Sequence, residues 1–359
     1  MANHRLLGSQ ADRRLDPWVG VNLSMFWPGL GQFYAGQWGL GLGLLLTEGL
    51  LLAIAAWSIF SAEGDTTTGL MFIVAAIALY GFGLLDVLLS IVAADPNAYP
   101  ERIPRRHKNV WFAVVITRVL PGLGHFYQQQ FVVGLILFTL GLVGLRLQVF
   151  YWPLLFLNPL LMILAVYHGF QTFLPKPPKF QQAWLSLTLV GILGAGLVLN
   201  LLPKWVDSQI IPCVIPTPSM APTLIPGDRV FVHPRADYVP QRLDIVVFYP
   251  PEALKAENPE ADYFIKRIIA LPGETIQVLN REVYIDGQPL AEDYLKEAPD
   301  YVLPPFTVPL NHYFVLGDNR NDSVDSHIWG PLPRQLIVGK AFKIYWPLNR
   351  VRSLLSDSP

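Results

Sequence analysis

The sequence predicts a membrane protein in two parts. An N-terminal α-helical bundle is followed by a mostly antiparallel β domain on the extracytoplasmic side. Three observations carry this. The 359 residues are 52% hydrophobic and only 15% charged, too apolar for one soluble domain. The apolar residues gather before Pro203 in runs of about twenty, the length that crosses the hydrocarbon core. After Pro203 short β-branched and aromatic segments alternate with turn residues.

The expected full spans are 38–62, 69–94, 131–150, 152–173 and 183–202. Arg5, Arg13 and Arg14 precede the first, Arg102, Arg105, Arg106 and Lys108 follow the second, and Lys176 and Lys179 follow the fourth. The loop Ser61–Asp65 carries no Lys or Arg. Excess basic residues mark the cytoplasmic side. The expected topology is therefore an inside N-terminus and five crossings, with everything beyond Leu202 outside. No cleavable leader is expected at the polar N-terminus. A net charge of −1 gives no reason to expect nucleic acid. The single cysteine, Cys213, cannot form an intrachain disulfide.

The membrane half contains a repeat. Pro28-Gly-Leu-Gly-Gln-Phe-Tyr34 recurs as Pro121-Gly-Leu-Gly-His-Phe-Tyr127. Each copy follows a short apolar stretch, 18–27 or 110–120, that is expected to re-enter or lie at the interface. This gives a helical region of 1–175 with two units, 17–94 and 108–174. An anchor at 183–202 and a β-rich domain at 203–359 complete the division. Glu48, His125 and His168 are ionisable groups in apolar surroundings, read first as packed side chains.

Strands are expected at 229–233, 244–248, 264–271, 275–279, 282–285, 312–316 and 339–346, with turns at Pro272-Gly273 and Asp286-Gly287. Two segments here carry chemistry. Ser219 lies in a proline-rich run, Pro216-Thr-Pro-Ser-Met-Ala-Pro-Thr-Leu224, that helix and sheet both reject. Lys266 lies within the apolar strand Phe264-Ile-Lys-Arg-Ile-Ile269. A serine needs a base, and a lysine serves as one only when burial lowers its pKa. The pairing points to a Ser-Lys hydrolase, with no cofactor and no metal.

Four ordered segments resemble the bacterial type I signal peptidases, over about residues 183–350. They are Pro218-Ser-Met-Ala-Pro-Thr-Leu224, Arg242-Leu-Asp-Ile-Val-Val-Phe248, Phe264-Ile-Lys-Arg-Ile-Ile-Ala-Leu-Pro-Gly273 and Leu316-Gly-Asp-Asn-Arg-Asn-Asp-Ser-Val-Asp-Ser-His-Ile-Trp-Gly330. The resemblance implies Ser219 as nucleophile and Lys266 as general base. It implies Thr217 in the oxyanion hole and Ser323 as the residue orienting the lysine. Met220, Leu224, Phe264 and Ile265 would line a shallow substrate pocket. Arg267, Asp318, Arg320 and Asp325 would support the scaffold. The implied partners are secretory preproteins with small-x-small cleavage sites, the lipid bilayer and the secretion machinery.

The chain departs from that family in several places. Leu243 and Ala270 stand where glycine is usual, Asn321-Asp322 stands where Asp-Asn is frequent, and His327 stands where arginine is usual. The last change leaves Asp325 without its usual ion pair, for which Arg267 or Arg320 is the expected substitute. Three alternatives stay open. One is a Ser-His-Asp enzyme using His233, His312 or His327. Another is a Ser-Lys peptidase dedicated to one client. The third is a membrane scaffold or transport module with a passenger peptidase. All matched segments lie beyond Leu202, so the repeat half is expected to be dispensable for peptide-bond chemistry.

Overall fold

A computed structural model describes residues 15–94, 108–147, 156–174, 176–234, 238–257 and 262–355. Arg5, Arg13, Arg14, Arg102, Arg105 and Arg106, on which the expected topology leans, fall outside these residues. The chain forms two compact units. One contains the chain up to Ala53 together with Phe72–Lys204, and the other contains Ile54–Met71 and everything from Trp205.

The first unit is helical, with an ordered series α1 (Pro17–Ser24), α2 (Leu30–Tyr34), α3 (Trp38–Phe60), α4 (Thr66–Ala94), α5 (Val110–Val119), α6 (Leu123–Tyr127), α7 (Phe131–Leu147), α8 (Leu157–Phe173) and α9 (Lys179–Gln209). Among the described residues α3, α4 and α9 are long and apolar enough to cross a membrane. Helices α7 and α8 have 17 residues each, and the residues between Leu147 and Phe156 fall outside the description. The stretches α1 and α5, of eight and ten residues, are about 12 and 15 Å long at 1.5 Å per residue, half a hydrocarbon core. Helix α9 continues through Pro203 to Gln209, past the expected end at 202. A proline costs a helix one N–H and crowds one carbonyl, and the helix here still runs on from Pro203 to Gln209.

The two Pro-Gly-Leu-Gly copies share one geometry. Gly29 and Gly122 precede α2 and α6 at φ 97° and 93°. A Cβ on Gly29 would lie 2.1 Å from the Gly41 carbonyl oxygen, and one on Gly122 would lie 2.3 Å from that of Gly134. Only glycine allows both the left-handed turn and the contact. Asp16 caps α1 by accepting from Trp18 N, and Asn109 caps α5 by accepting from Trp111 N. The hydroxyls of Tyr34 and Tyr127 accept from the backbone N–H of these capping residues. The copies meet where Asn109 Nδ2 donates to Asp16 Oδ2 at 2.9 Å. They differ at one motif position. Gln32 Nε2 donates to the Gly83 carbonyl at 2.8 Å and to Asp86 Oδ2 at 3.1 Å, whereas His125 Nε2 lies 3.0 Å from His168 Nδ1.

The second unit is built on antiparallel strands. These are β1 (Ile211–Val214), β2 (Arg229–Pro234), β3 (Ile245–Phe248), β4 (Phe264–Ala270), β5 (Thr275–Leu279), β6 (Glu282–Ile285), β7 (Gln288–Pro289), β8 (Leu303–Thr307), β9 (His312–Leu316), β10 (Leu332–Pro333), β11 (Ile337–Trp346) and β12 (Arg352–Ser353). Two short helices, α10 (Glu252–Glu257) and α11 (Ser326–Trp329), interrupt them. The larger sheet runs β1-β2-β11-β3-β4-β9-β10, with β12 on β11, and the smaller runs β7-β6-β5-β8. Strand β8 went unforeseen because it reads Leu-Pro-Pro-Phe-Thr; it sits at the edge of its sheet, where prolines are tolerated. The apolar residues of β1, β2, β3 and β11 pack with Met220 and Leu224 into one core beside the serine turn.

Two of the departures from the family acquire physical meaning here. Leu243 has φ 71°, a left-handed conformation that glycine adopts without cost. Ala270 is fully buried, next to an irregularity in the β4–β9 register.

Candidate active site

The site forms where the short turn 218–220, after β1, meets β4 and the loop following β9. Pro218–Met220 makes a single 3-10 turn, which lifts the Ser219 side chain out of any regular ladder. Its hydroxyl lies 2.7 Å from Lys266 Nζ and 3.3 Å from Thr217 Oγ1. Lys266 is 3% exposed, and its register partner on β3 is Val246. Burial pushes its pKa down to about 8, against the opposing pull of Asp325 and Asp318, whose charges favour the ammonium form. A lysine so placed is largely able to take a proton at mildly alkaline pH.

Arg267, the next residue along β4, points to the other face. Its Nε and Nη2 hold Asp318 Oδ1 and Oδ2 at 2.8 and 2.7 Å, with both side chains fully buried. Thr223 Oγ1 donates to Asp318 Oδ2 at 2.5 Å, and the guanidinium lies 4.0 Å from the Tyr294 ring centroid. This pair ties β4 to the Gly317–Asn319 loop and to the chain just after the serine.

Asn319 closes the turn from the other side. Its N–H donates to the Ser219 carbonyl at 3.1 Å, and its Nδ2 donates to the Pro218 carbonyl at 3.2 Å. Gly317 is required at this approach, since a Cβ there would lie 2.2 Å from Ser323 Oγ and 2.4 Å from the Ser219 carbonyl oxygen. Neither Asn319 nor its role was visible in the sequence, although it sits inside a matched segment. Only its neighbours promised charge or nucleophilicity.

Ser323 is buried beside Gly317, and its Oγ makes no hydrogen bond. The bond to the lysine that the resemblance implies is thus not formed. Asp325 does not pair with Arg267 or Arg320. Its Oδ1 pairs with His327 Nδ1 at 2.6 Å, and its Oδ2 accepts from Gly317 N. Asp325 caps α11, and the turn of that helix brings two residues together that an extended chain would hold apart. His327 in turn stacks on Tyr301, with ring centroids 4.2 Å apart. Arg320 instead makes a forked pair with Glu292, 28 residues away, at 2.9 and 2.5 Å.

The histidines needed by a Ser-His-Asp reading are engaged elsewhere. His233 stacks on Phe342, His312 Nδ1 meets the Leu310 carbonyl, and His327 meets Asp325. It is Lys266 and Thr217 that meet the Ser219 hydroxyl.

A cleft of about 160 Å³ opens beside Ser219 and Lys266. Its walls come from Cys213–Thr217 on one side and Tyr263–Ile265 on the other, with Val247 between. Phe264 and Ile265 are among the residues that line it. Met220 and Leu224 are not: both are fully buried in the core beneath, because the 3-10 turn sends Met220 inward as it sends Ser219 toward the lysine. Among the described residues no cluster of His, Cys, Asp and Glu could hold a metal ion.

Residues 188–346 match the family described as signal peptidase, peptidase S26. A signal peptidase I of Leptolyngbya laminosa is 51% identical over 143 residues, covering 39% of this chain and 70% of that protein. A probable signal peptidase I-1 of Synechocystis sp. is 45% identical over 180 residues, covering 49% of this chain and 88% of its own. A probable thylakoidal processing peptidase 2 of Arabidopsis thaliana is 42% identical over 147 residues, 40% of each chain. The family match begins inside α9, so α1–α8 lie outside it.

Proposed function

The chain belongs to the signal peptidase I family, and on that premise we propose that it removes signal peptides from secreted preproteins with a Ser219–Lys266 pair. The observation that carries this reading is the 2.7 Å contact between Lys266 Nζ and Ser219 Oγ, made by a lysine that is almost wholly buried. In the first step neutral Lys266 accepts the Ser219 proton as Oγ attacks the scissile carbonyl. The oxyanion is held by the Thr217 hydroxyl and the Ser219 N–H, each such donor typically worth about 3–4 kcal/mol in the transition state. Collapse breaks the C–N bond, and Lys266 returns the proton to the departing amine. Water then attacks the acyl-serine ester, with Lys266 taking its proton and Ser219 Oγ recovering it.

The substrate is an extended segment laid between Cys213–Thr217 and Tyr263–Ile265, where it gains a strand's hydrogen bonds. The cleft's small volume and the Ile265 and Phe264 walls favour small side chains before the cut. Arg267, Asp318, Arg320 and Asp325 support the turn and the lysine rather than touch substrate. The enzyme works in a membrane. The three long apolar helices support this, and the basic clusters support an inside N-terminus, an outer catalytic domain and a bacterial cytoplasmic location.

The deciding experiment uses the purified full chain in detergent with a preprotein carrying a small-x-small site. One cut, directly after the second small residue, is expected. An intact preprotein after prolonged incubation, with the chain folded, would overturn the reading. Reporter fusions at Asp65 and Lys108 are expected on opposite sides of the membrane, Asp65 outside; the same side for both would overturn the topology.

A further inference from the structure

The peptidase unit buries a second lysine, which the proposed chemistry does not use. Lys343 of β11 is fully buried, opposite Phe231 of β2 and Ser353 of β12. Burying an ammonium is costly unless its donors are matched. The partners are the backbone carbonyls of Ser58 and Ile59, each 2.8 Å from Nζ. Both lie in the last turn of α3, where carbonyls have no partner within the helix and the dipole favours a cation. Ser58 is itself 3% exposed.

The segment that receives this lysine is shaped for it. Ser61 Oγ accepts from Gly64 N, and Asp65 Oδ2 accepts from Thr68 N and Oγ1 to cap α4. A Cβ on Gly64 would lie 2.4 Å from the Ser58 carbonyl oxygen, the same atom that Lys343 uses. Alongside, the Phe60 ring lies 5.8 Å from Phe231, which stacks on Tyr345 at 4.0 Å. Residues 54–71 thus belong to the peptidase unit although β11 follows them by more than 260 residues. A peptidase domain standing alone would have no reason to place a lysine under a helix end.

We propose that Lys343 is a positioning residue that locks the α3–α4 tip onto the β2–β11 pair. The chain crosses between the units at Ala53–Ile54, Met71–Phe72 and Lys204–Trp205. The tip therefore gives the peptidase a second attachment to the helical region, besides α9. A domain held at two points presents its cleft to a bilayer-held preprotein with less freedom than one held by α9 alone. Deleting residues 1–175 would therefore remove part of the peptidase unit itself, residues 54–71, along with the repeat half.

The test has two arms, both on the full-length chain, and the second rests on the signal-peptidase reading. In the first, a cysteine at Ser58 in a Cys213→Ser background is labelled with a maleimide. Slow labelling is expected with Lys343 present, about tenfold faster labelling with Lys343→Met, and slow labelling again with Lys343→Arg. Equal rates in all three would overturn the lock. In the second, Lys343→Met is expected to slow processing of a preprotein in liposomes at least fivefold. Its kcat for a short soluble peptide in detergent should stay within twofold. Unchanged processing of both substrates, or equal loss of both, would overturn the positioning role. If the parent chain cleaves neither substrate, the functional reading falls, and the labelling arm still decides the lock.

Discussion

Around Ser219 the backbone is held by buried charge, with Arg267 on Asp318 and Asn319 on the serine turn. Around the Pro-Gly-Leu-Gly turns it is held by close backbone approach at Gly29 and Gly122, with Asp16, Asn109, Tyr34 and Tyr127 sealing the helix starts. The difference follows from the surroundings. The peptidase can bury an arginine because two carboxylate oxygens and a threonine meet it. At the Pro-Gly-Leu-Gly turns the polar groups are met by backbone and by the same few side chains in each copy, a capping Asp16 or Asn109 and a sealing Tyr34 or Tyr127. One region is specified by pairs distant in sequence, the other by a motif that can be copied whole.

The contrast breaks most sharply at the reacting pair. Ser219→Ala and Lys266→Ala are each expected to lower kcat by more than about a thousandfold, and the double variant by no more than either, as groups acting as a unit are not additive. Appreciable turnover by Lys266→Ala at pH 8 would remove the lysine from the mechanism. Next, Gly317→Ala drives a methyl into Ser323 Oγ and the Ser219 carbonyl, and a loss of about a hundredfold in kcat is expected, the scale of a misplaced catalytic group. Gly29→Ala or Gly122→Ala meets carbonyl oxygens just as closely, yet turnover of a short peptide in detergent should fall less than threefold while the helical unit becomes protease-sensitive. Equal activity losses in the two sets would erase the distinction between the regions.

A smaller effect is expected in the pH profile. The acid limb of kcat/KM should lie near pH 8, the value to which burial lowers Lys266. Asp325 opposes that shift, so Asp325→Asn should move the limb to lower pH, read from kcat/KM between pH 5 and 10. A limb that stays put or moves up would mean that Asp325 does not act on the lysine. The same group makes folding stability rise with pH between about 8 and 10.4, since there the unfolded chain holds a proton that the native state has released. The smallest change is Leu243→Gly. Relief of the left-handed strain is worth about 1 kcal/mol, offset in part by the half-buried side chain, so thermal unfolding should show no loss of stability. A clear drop in Tm would show that the leucine packs more than its backbone strains.

The strands and the Ser219 and Lys266 segments were legible because each rests on a local pattern. Alternating β-branched runs, Asp286-Gly287 and a serine among prolines all speak within ten residues. What stayed hidden depends on distance or on one turn's geometry. Glu292 gives no sign that it belongs to Arg320. Met220 reads as a pocket residue until a 3-10 turn points it into the core. His327 reads as a lost ion pair until α11 folds it onto Asp325. Lys343, in the strand Val-Gly-Lys-Ala-Phe-Lys-Ile, reads like any solvated strand lysine, because its partners are carbonyls, which leave no trace in sequence.

The tip at residues 54–71 also sets an order of events. Chain synthesis at about 5–20 residues per second means that roughly 15–55 s separate Ile59 leaving the ribosome from Lys343 doing so. The residues of α3 and α4, and the two carbonyls that Lys343 meets, are therefore made well before β11. β11, the last long strand of the larger sheet, pairs with β2 on one side and β3 on the other, so until it is made those two strands have nothing to join them.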